Sequence, residues 1–386
     1  MPTQLAERHP EQRPLWRRLL TQSRQSWHQY RNTLLQRRSF HHSVSRIPLI
    51  RGIAQRRAAQ LHDITAGFVY SQVLFACVEL ELFEQLRDGP RPIDELDAGT
   101  LAAAGLHRLL LAAQSLALLE SYDDQSWGLS ELSAAMLANP GIAAMVRHHR
   151  HLYADLADPV KLLSARLPTQ LSSYWPYALQ ADQGDTAAYT DLMAESQDMI
   201  VEYILDAGPL EGAEHLVDIA GGAGRFASHA LTRYPSLRAT VIDLKEVVTN
   251  PATTKACAPI PRLTLQAGDM FHSPLPEDAS VISYIRVLHD HDDEPTQHLI
   301  QRAFDALPSS GRLLIAEPMS GTPGAEAIGD AYFGLYLWAM GSGRPRRAEE
   351  YRQMCINAGF TTVTELSSAM PCLVRVLCAE KTVILS

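Results

Sequence analysis

Cysteine is scarce in this 386-residue chain, and the little there is excludes two classes of protein. Cys77, Cys257, Cys355, Cys372 and Cys378 are odd in number and far apart, with no C-x-x-C pair. A disulfide scaffold and a thiolate zinc site are excluded, and reduced thiols in a cytoplasmic setting are expected. Long apolar runs are missing too. The most apolar stretch, Ala66 to Leu86, holds Gln72, Glu79, Glu81 and Glu84, whereas a membrane span needs about 20 nearly uncharged residues. Arg17 and Arg18 interrupt the first apolar cluster and no A-x-A pattern follows, so no secretory signal is read. No fixed-period repeat and no low-complexity tract is visible. Residues 1–60 lack lysine and have only Glu7 and Glu11 as acids, against twelve arginines. That segment carries +10 and, within a net charge of −9, the remainder carries −19. A basic arm on an acidic body fits an anionic surface as partner for the arm alone.

The rest of the composition, 46% hydrophobic and 20% charged, is that of a folded protein, and the length asks for two or three domains. The boundaries read are 1–60, 61–200 and 201–386. Residues 13–40 read as a basic amphipathic helix. Trp16, Leu20, Trp27, Tyr30 and Leu34 recur at helical spacing, with Arg17, Arg18, Arg24, Arg31 and Arg37 between them. Such a helix either lies in an anionic membrane interface or packs on the body or a partner subunit. Pro48 and Gly52 are read as punctuation before a new helical region.

From Leu61 to about Ile200 the pattern is helical. Phe68, Val73, Cys77, Leu82 and Leu86 form an apolar stripe that Gly89-Pro90 stops. Asp94-Glu95-Leu96 starts a short helix, Leu106 to Glu120 a longer one, and a polar turn, Tyr122-Asp123-Asp124-Gln125, separates two brief strands ending at Leu129. This is the outline of a winged helix. Its would-be recognition helix offers only His107 and Arg108, and the turn is acidic, so phosphates are repelled and no nucleic-acid partner is expected. A helical dimerisation and lid domain is the better reading.

After His215 short apolar strands alternate with amphipathic helices. The strands are Leu216–Ala220, Ala239–Leu244, Leu263–Ala267, Ser280–Val287, Arg312–Glu317, Val363–Leu366 and Leu373–Cys378, with helices at 225–234, 294–307 and 348–358. Alternation with fully apolar strands predicts an α/β domain with a parallel, doubly wound sheet.

The sharpest motif is Val217-Asp218-Ile219-Ala220-Gly221-Gly222-Ala223-Gly224, a strand running into a glycine turn and then a helix. Glycines at 221, 222 and 224 allow positive φ and close approach of a ligand. Neither the G-x-G-x-x-G of a nicotinamide site nor the Gly-Lys-Ser/Thr of a phosphate loop is present. Asp243-Leu244 ends the next strand, where a carboxylate can hold ribose hydroxyls. Asp269 ends the third, placed for an adenine amino group, with Met270 and Phe271 to pack on the ring. Three strand ends converging on one sheet edge predict a nucleoside site.

These motifs, with VLHDHDDE and the closing AEP…AGF, resemble the class I S-adenosylmethionine-dependent O-methyltransferases of the caffeic acid and hydroxyindole type. The resemblance covers about residues 61–386. FVYSQVLFACVELELFEQL and EPMSGTPGAEAIGDAYFGLYLWAMGSGRPR are most similar to the carotenoid hydroxyl methyltransferases of phototrophic bacteria, the demethylspheroidene (hydroxyneurosporene) type. It implies a Rossmann-like methyltransferase sheet, a winged-helix-like dimerisation domain, a homodimer, S-adenosylmethionine as methyl donor, no metal and a hydrophobic hydroxylated substrate. Peripheral contact with a membrane through residues 13–40 would suit such a substrate. Rivals within the class are a methyltransferase of an aromatic or polyketide metabolite and one of bacteriochlorophyllide. From another class, the rival is a ligand-sensing winged-helix regulator.

Methyl transfer to a hydroxyl needs in-line placement and a proton acceptor. Histidine titrates near neutrality, and a carboxylate can fix its tautomer. His289 matches the family base, and Glu317 matches an acid that flanks it. His291, Asp292 and Asp293 read as the start of the next helix, where acids suit the dipole. A metal on His289, His291 and Asp293 is the competing reading. Tyr332, Phe333, Tyr336, Trp338 and Met340 either pack in a core or line a substrate channel. Aligning Glu350-Tyr351 with the start of the last family helix puts Pro345 where a second acid is expected, so that role is empty unless a neighbour fills it.

Overall fold

The computed structural model describes residues 15–382 apart from 45, 124, 167, 175–196, 198, 199, 258 and 259. Residues 13 and 14 of the basic arm and Asp124 of the acidic turn therefore lie outside the described residues. The chain divides into two compact units, residues 1–73 and 74–386.

The first unit is helical. The expected 13–40 helix is two helices, Leu15–Leu35 and Arg38–Val44. The first closes where Arg37 N–H turns back to Leu34 C=O, three residues behind rather than four. Pro48 does not punctuate a loop. It is the first residue of a helix that runs to Glu79, at the position where a missing N–H costs nothing. Gly52 sits inside that helix with nothing within 4 Å of where a Cβ would project. Ile50–Glu79 is long and apolar enough, by length and composition, to cross a membrane, and most of it is not buried. The stretch weighed in the sequence, Ala66–Leu86, overlaps only the C-terminal part of this helix, where the glutamates cluster. Trp27, Tyr30, Ile50, Ile53, Leu61, Ile64 and Phe68 are exposed.

In the second unit, Ala103–Ser115 is the helix expected at 106–120. It ends early because Ala117 takes the left-handed conformation (φ +55), and Leu118 N–H then bonds back to Ala113 C=O. Strands β1 (Arg91–Pro92), β2 (Leu119–Ser121) and β3 (Ser126–Leu129) form a small antiparallel sheet, and the helix Pro140–Asp155 follows.

The large sheet has seven strands in the order β6-β5-β4-β7-β8-β10-β9. They are β4 (His215–Ile219), β5 (Arg238–Asp243), β6 (Leu263–Ala267), β7 (Val281–Ile285), β8 (Arg312–Glu317), β9 (Thr362–Leu366) and β10 (Arg375–Glu380). Strands β4 to β8 are parallel. β10 is antiparallel to both β8 and β9, so the all-parallel expectation is corrected. The reason is local: β9 and β10 are joined by a loop without a crossover helix, and such a connection reverses the chain. Alternate strand residues feed two cores. Val217, Ile219, Ile282 and Ile315 pack with Leu299, Tyr351 and Cys355 on one face. Leu216, Val241, Val281 and Leu314 pack with Ile204, Phe226 and Leu231 on the other. Each such side chain contributes roughly 1.5–3 kcal/mol of burial, which fixes the sheet and the edge where β4, β5 and β6 end.

Candidate active site

The glycine turn after β4 is built around Asp218. This carboxylate is fully buried, Ser283 Oγ of β7 donates to it at 2.6 Å, and its other oxygen is buried with no hydrogen-bond partner among the described residues. Burial pushes its pKa up to about 7. A Cβ on Gly221 would land on that carboxylate, well inside contact distance, and also against Val241. Gly222 (φ +56) and Gly224 (φ +68) hold left-handed backbone, with Gly224 opening the helix Arg225–Arg233. At the end of β5, Asp243 is tied to the same turn. Gly222 N–H donates to one of its oxygens at 2.8 Å and Leu244 N–H to the other at 2.7 Å. Burial pushes the Asp243 carboxyl up to about 6. Asp269, after β6, accepts from Phe271 N–H and from His272 Nδ1. Burial opposes ionisation there, but these two bonds hold the carboxyl below its usual range. Met270 and Phe271 lie half-buried against the core beside it.

A side chain at Gly221 is therefore expected to push Asp218 or the turn aside. Gly221→Ala should cost about tenfold in affinity for a nucleoside ligand, the size of a moderate overpacking penalty. Calorimetric titration with the melting temperature followed in parallel checks it, and unchanged affinity removes the turn from the site.

The second half of the site starts where β7 ends. Arg286 turns the chain with φ +57, a conformation costing of order 1–3 kcal/mol that is kept mostly where function requires it. The single 3₁₀ turn Leu288–Asp290 then presents His289, which is buried. Its Nδ1 is hydrogen-bonded to Glu317 Oε2 at the end of β8, and its Nε2 lies 3.1 Å from Asp290 Oδ1. Glu317 is completely buried. Its other oxygen accepts Val287 N–H at 3.0 Å and Leu288 N–H at 2.7 Å, so it is fixed on both sides. Burial alone would lower the His289 pKa. The charges of Asp290 and Glu317 outweigh it and push it up to about 10.

His289, Asp290 and Arg286 share a cleft with Met145, Tyr332, Phe333 and Tyr336. Phe333 meets the His289 ring edge-on at 5.9 Å. The hydroxyls of Tyr332 and Tyr336 are hydrogen-bonded to His149 and His148 of the Pro140–Asp155 helix, each at 2.7 Å. Burial pushes His148 down to about 3, so it stays neutral. The other two aromatic-segment candidates point elsewhere. Trp338 Nε1 donates to Leu162 C=O under the Arg166 guanidinium, and Met340 is buried among Leu152, Leu162 and Leu171. Asp293 turns to Arg344 and Arg346. Among the described residues no three His, Cys, Asp or Glu side chains converge as metal ligands.

Sequence reasoning passed over Asp290, Arg286, His148 and His149. Asp290 stood next to the named base, but whether its side chain shares a face with His289 depends on the 3₁₀ turn. The run Arg147-His148-His149-Arg150-His151 in the middle of that helix was the available signal for the other pair.

An O-methyltransferase domain model matches residues 153–361, and an O-methyltransferase dimerisation domain model matches residues 62–139. The chain is 37% identical over 346 residues to the demethylspheroidene O-methyltransferase of Rhodobacter capsulatus, covering 88% of this chain and 86% of that protein. It is 38% identical over 332 residues to the enzyme of the same name from Cereibacter sphaeroides, covering 84% and 88%. The crystal structure of human N-acetylserotonin methyltransferase in complex with SAM superposes with a TM-score of 0.72 at 24% identity, covering 85% of this chain and 98% of that one.

Proposed function

Since the chain belongs to the O-methyltransferase family, we propose that it transfers a methyl group from S-adenosylmethionine to the hydroxyl of a hydrophobic carotenoid of the demethylspheroidene type. The observation that carries the reading is the cleft itself. It joins the charged or titratable side chains His289, Asp290 and Arg286 to Met145, Phe333 and two tyrosine rings whose hydroxyls are already bonded to His148 and His149. A hydrocarbon that carries a hydroxyl matches a lining of a few polar groups among apolar and aromatic side chains. The identity to two demethylspheroidene O-methyltransferases supports the same substrate class.

The glycine turn fits the donor. Asp218 offers a buried carboxylate oxygen with no partner among the described residues, Gly221 has no room for a side chain, and Asp243 is held with both oxygens still able to accept. Asp218, Gly221, Gly222, Gly224, Asp243, Leu244, Asp269, Met270 and Phe271 would hold it. When bound it supplies an electrophilic methyl group. The protein's task is then to hold the hydroxyl oxygen in line and to receive its proton. Glu317 bonds Nδ1 of His289, which leaves Nε2 as the atom that takes the proton, with Asp290 stabilising the resulting imidazolium. Mass spectrometry after incubation with S-adenosylmethionine and a hydroxylated carotenoid should show a gain of one methyl group. Methylation of small phenols with none of the carotenoid would overturn the substrate class.

The dimerisation-domain match supports a homodimer. For the arm, residues 13–40 and the exposed apolar side chains that follow support peripheral contact with an anionic membrane. Trp27, Tyr30, Ile50 and Ile53 are exposed among Arg24, Arg31, Arg51 and Arg56. Each arginine near such a surface contributes on the order of 1 kcal/mol, and salt screens it. Deleting residues 1–45, which removes Arg24, Trp27, Tyr30 and Arg31 but keeps Ile50 and Ile53, should weaken binding to anionic vesicles and leave turnover of detergent-dispersed substrate intact, and high salt should act in the same direction. A truncated protein that becomes monomeric yet binds vesicles as before would assign the arm to dimerisation.

A further inference from the structure

The turn that carries His289 presents four consecutive backbone carbonyls, and one distant segment donates to all four; Leu288 C=O also takes His291 N–H within the turn at 3.3 Å. Arg346 Nη1 donates to Leu288 C=O at 2.9 Å, and Arg344 N–H to His289 C=O at 3.0 Å. Ser342 Oγ donates to Asp290 C=O at 2.7 Å, and Arg346 Nη2 to His291 C=O at 2.7 Å. Arg346 is completely buried, and its charge is balanced by Asp293, 2.8 Å from Nη2 and 3.0 Å from Nε. Its guanidinium lies 5.8 Å from the centre of the Tyr351 ring. Gly343, between the donors, has φ +81, and a Cβ there would fall on the His289 carbonyl oxygen.

We propose that residues 342–346 are the positioning element of His289, with Arg346 its central positioning residue. This rests on His289 being the base. The argument is geometric. Glu317 holds the ring at Nδ1 and the turn's N–H groups at Val287 and Leu288, but it does nothing for the carbonyl side of the turn. A planar guanidinium with several fixed donors can bridge the carbonyls of residues 288 and 291 on either side of the base, which an ammonium cannot. Thr296 Oγ1 reaches the same two carbonyls at 3.1 and 3.2 Å and gives secondary support. Pro345 then has a role other than the expected acid. Its φ is fixed, and it sets the two donors at 344 and 346 at a constant spacing. A buried arginine whose charge neutralises Asp293 while its other donors spread over the catalytic turn is built to hold geometry, since any slip of the turn leaves buried carbonyls unpaired.

The test uses the full-length protein and two variants, Arg346→Lys and Ser342→Ala, with folding checked by circular dichroism and melting temperature. Two quantities are read: kcat at saturating substrates across pH, and the titration of His289 by NMR of histidine-labelled protein without substrate. Glu317 and Asp290 face His289 directly, and both are unchanged in these variants. Arg346→Lys should lower kcat roughly tenfold to a hundredfold, the cost of misplacing a catalytic group by a fraction of its reach, and shift the His289 titration, with the KM for S-adenosylmethionine unchanged. Ser342→Ala, which removes one half-buried hydroxyl, should show the same signs at about twofold to fivefold. If Arg346→Lys does not fold, Ser342→Ala decides alone. Wild-type kcat with an unchanged titration overturns the proposal, and so does a kcat loss with the titration unmoved. A shifted titration with wild-type kcat leaves the positioning element standing and removes His289 from the role of base.

Discussion

His289→Ala should lower kcat by about 10²–10⁴, the usual range for loss of a general base, while S-adenosylmethionine binding survives. Binding should survive because the glycine turn, Asp243 and Asp269 make no bond to His289. The loss in rate should be large because an alcohol is far less acidic than a phenol, so its proton cannot leave before the new bond forms. Some acceptor must be within reach as the oxygen becomes positive. Glu317→Gln should cost less, since it orients the ring without carrying the proton, though its Oε1 must still accept two backbone N–H groups. The pH profile has a definite sign. Asp290 and Glu317 hold His289 protonated up to about pH 10, so the neutral, proton-accepting ring becomes commoner as pH rises. Turnover of the wild-type protein should therefore climb through the neutral range toward about pH 10, and the His289→Ala protein should lose that rising limb. Near-normal turnover of His289→Ala at saturating substrate and at every pH would leave placement alone as the source of catalysis.

Much of the methyltransferase half was legible because its signals are local. A strand buried on both faces is a short continuous apolar run, and two strands, Leu263–Ala267 and Arg312–Glu317, fall at the residues expected. The glycine turn was legible because only glycine tolerates what Gly221, Gly222 and Gly224 do. His289 and Glu317 stood at the ends of β7 and β8, two neighbouring parallel strands, so a shared sheet edge brings them together. What could not be read depended on contacts distant in sequence. Nothing in the last strand says that it inserts antiparallel beside β8. Tyr332 and Trp338 look alike on a helical stripe, yet one ring lines the cleft and the other caps Leu162 from across the domain. The stripe also passes through an irregular turn, since Ala327–Phe333 is wound as a π-helix before Gly334–Met340 continues as an α-helix, and that offsets a simple count of faces. Pro345 is the instructive case. The alignment marked a missing carboxylate, while the second acid at the base is Asp290, the neighbour of His289 in the chain. Nothing in the local pattern marks Arg346, beside that proline, as a side chain that is completely buried.

Asp243→Ala should reduce affinity for S-adenosylmethionine roughly tenfold to a hundredfold with the fold intact. A hydrogen bond to a charged acceptor is worth about 1.5–3 kcal/mol, and in the proposed site this strand-end carboxylate receives a pair of ribose hydroxyls. The structure adds a sharper expectation for Asp243→Asn. Each carboxylate oxygen already takes a backbone N–H, from Gly222 and from Leu244. An amide has only one oxygen, so its NH₂ would face one of those donors and the turn would lose a bond or swing away. Asparagine is therefore not conservative here, and Asp243→Asn should lose about as much affinity as Asp243→Ala. The pH dependence follows from the same burial. The Asp243 carboxyl titrates near 6, raised from its ordinary value because burial penalises the charge. Above that pH the ionised acceptor is present. As pH falls through about 6 the carboxyl gains a proton, one acceptor becomes a donor, and affinity should fall in the wild-type protein. Asp243→Ala should lack that limb and keep only the one that Asp218, raised to about 7, contributes. Isothermal titration of both proteins between pH 5 and pH 8 checks each statement. Equal affinities across that range would take Asp243 out of the cofactor site and leave it as the tie between β5 and the glycine turn.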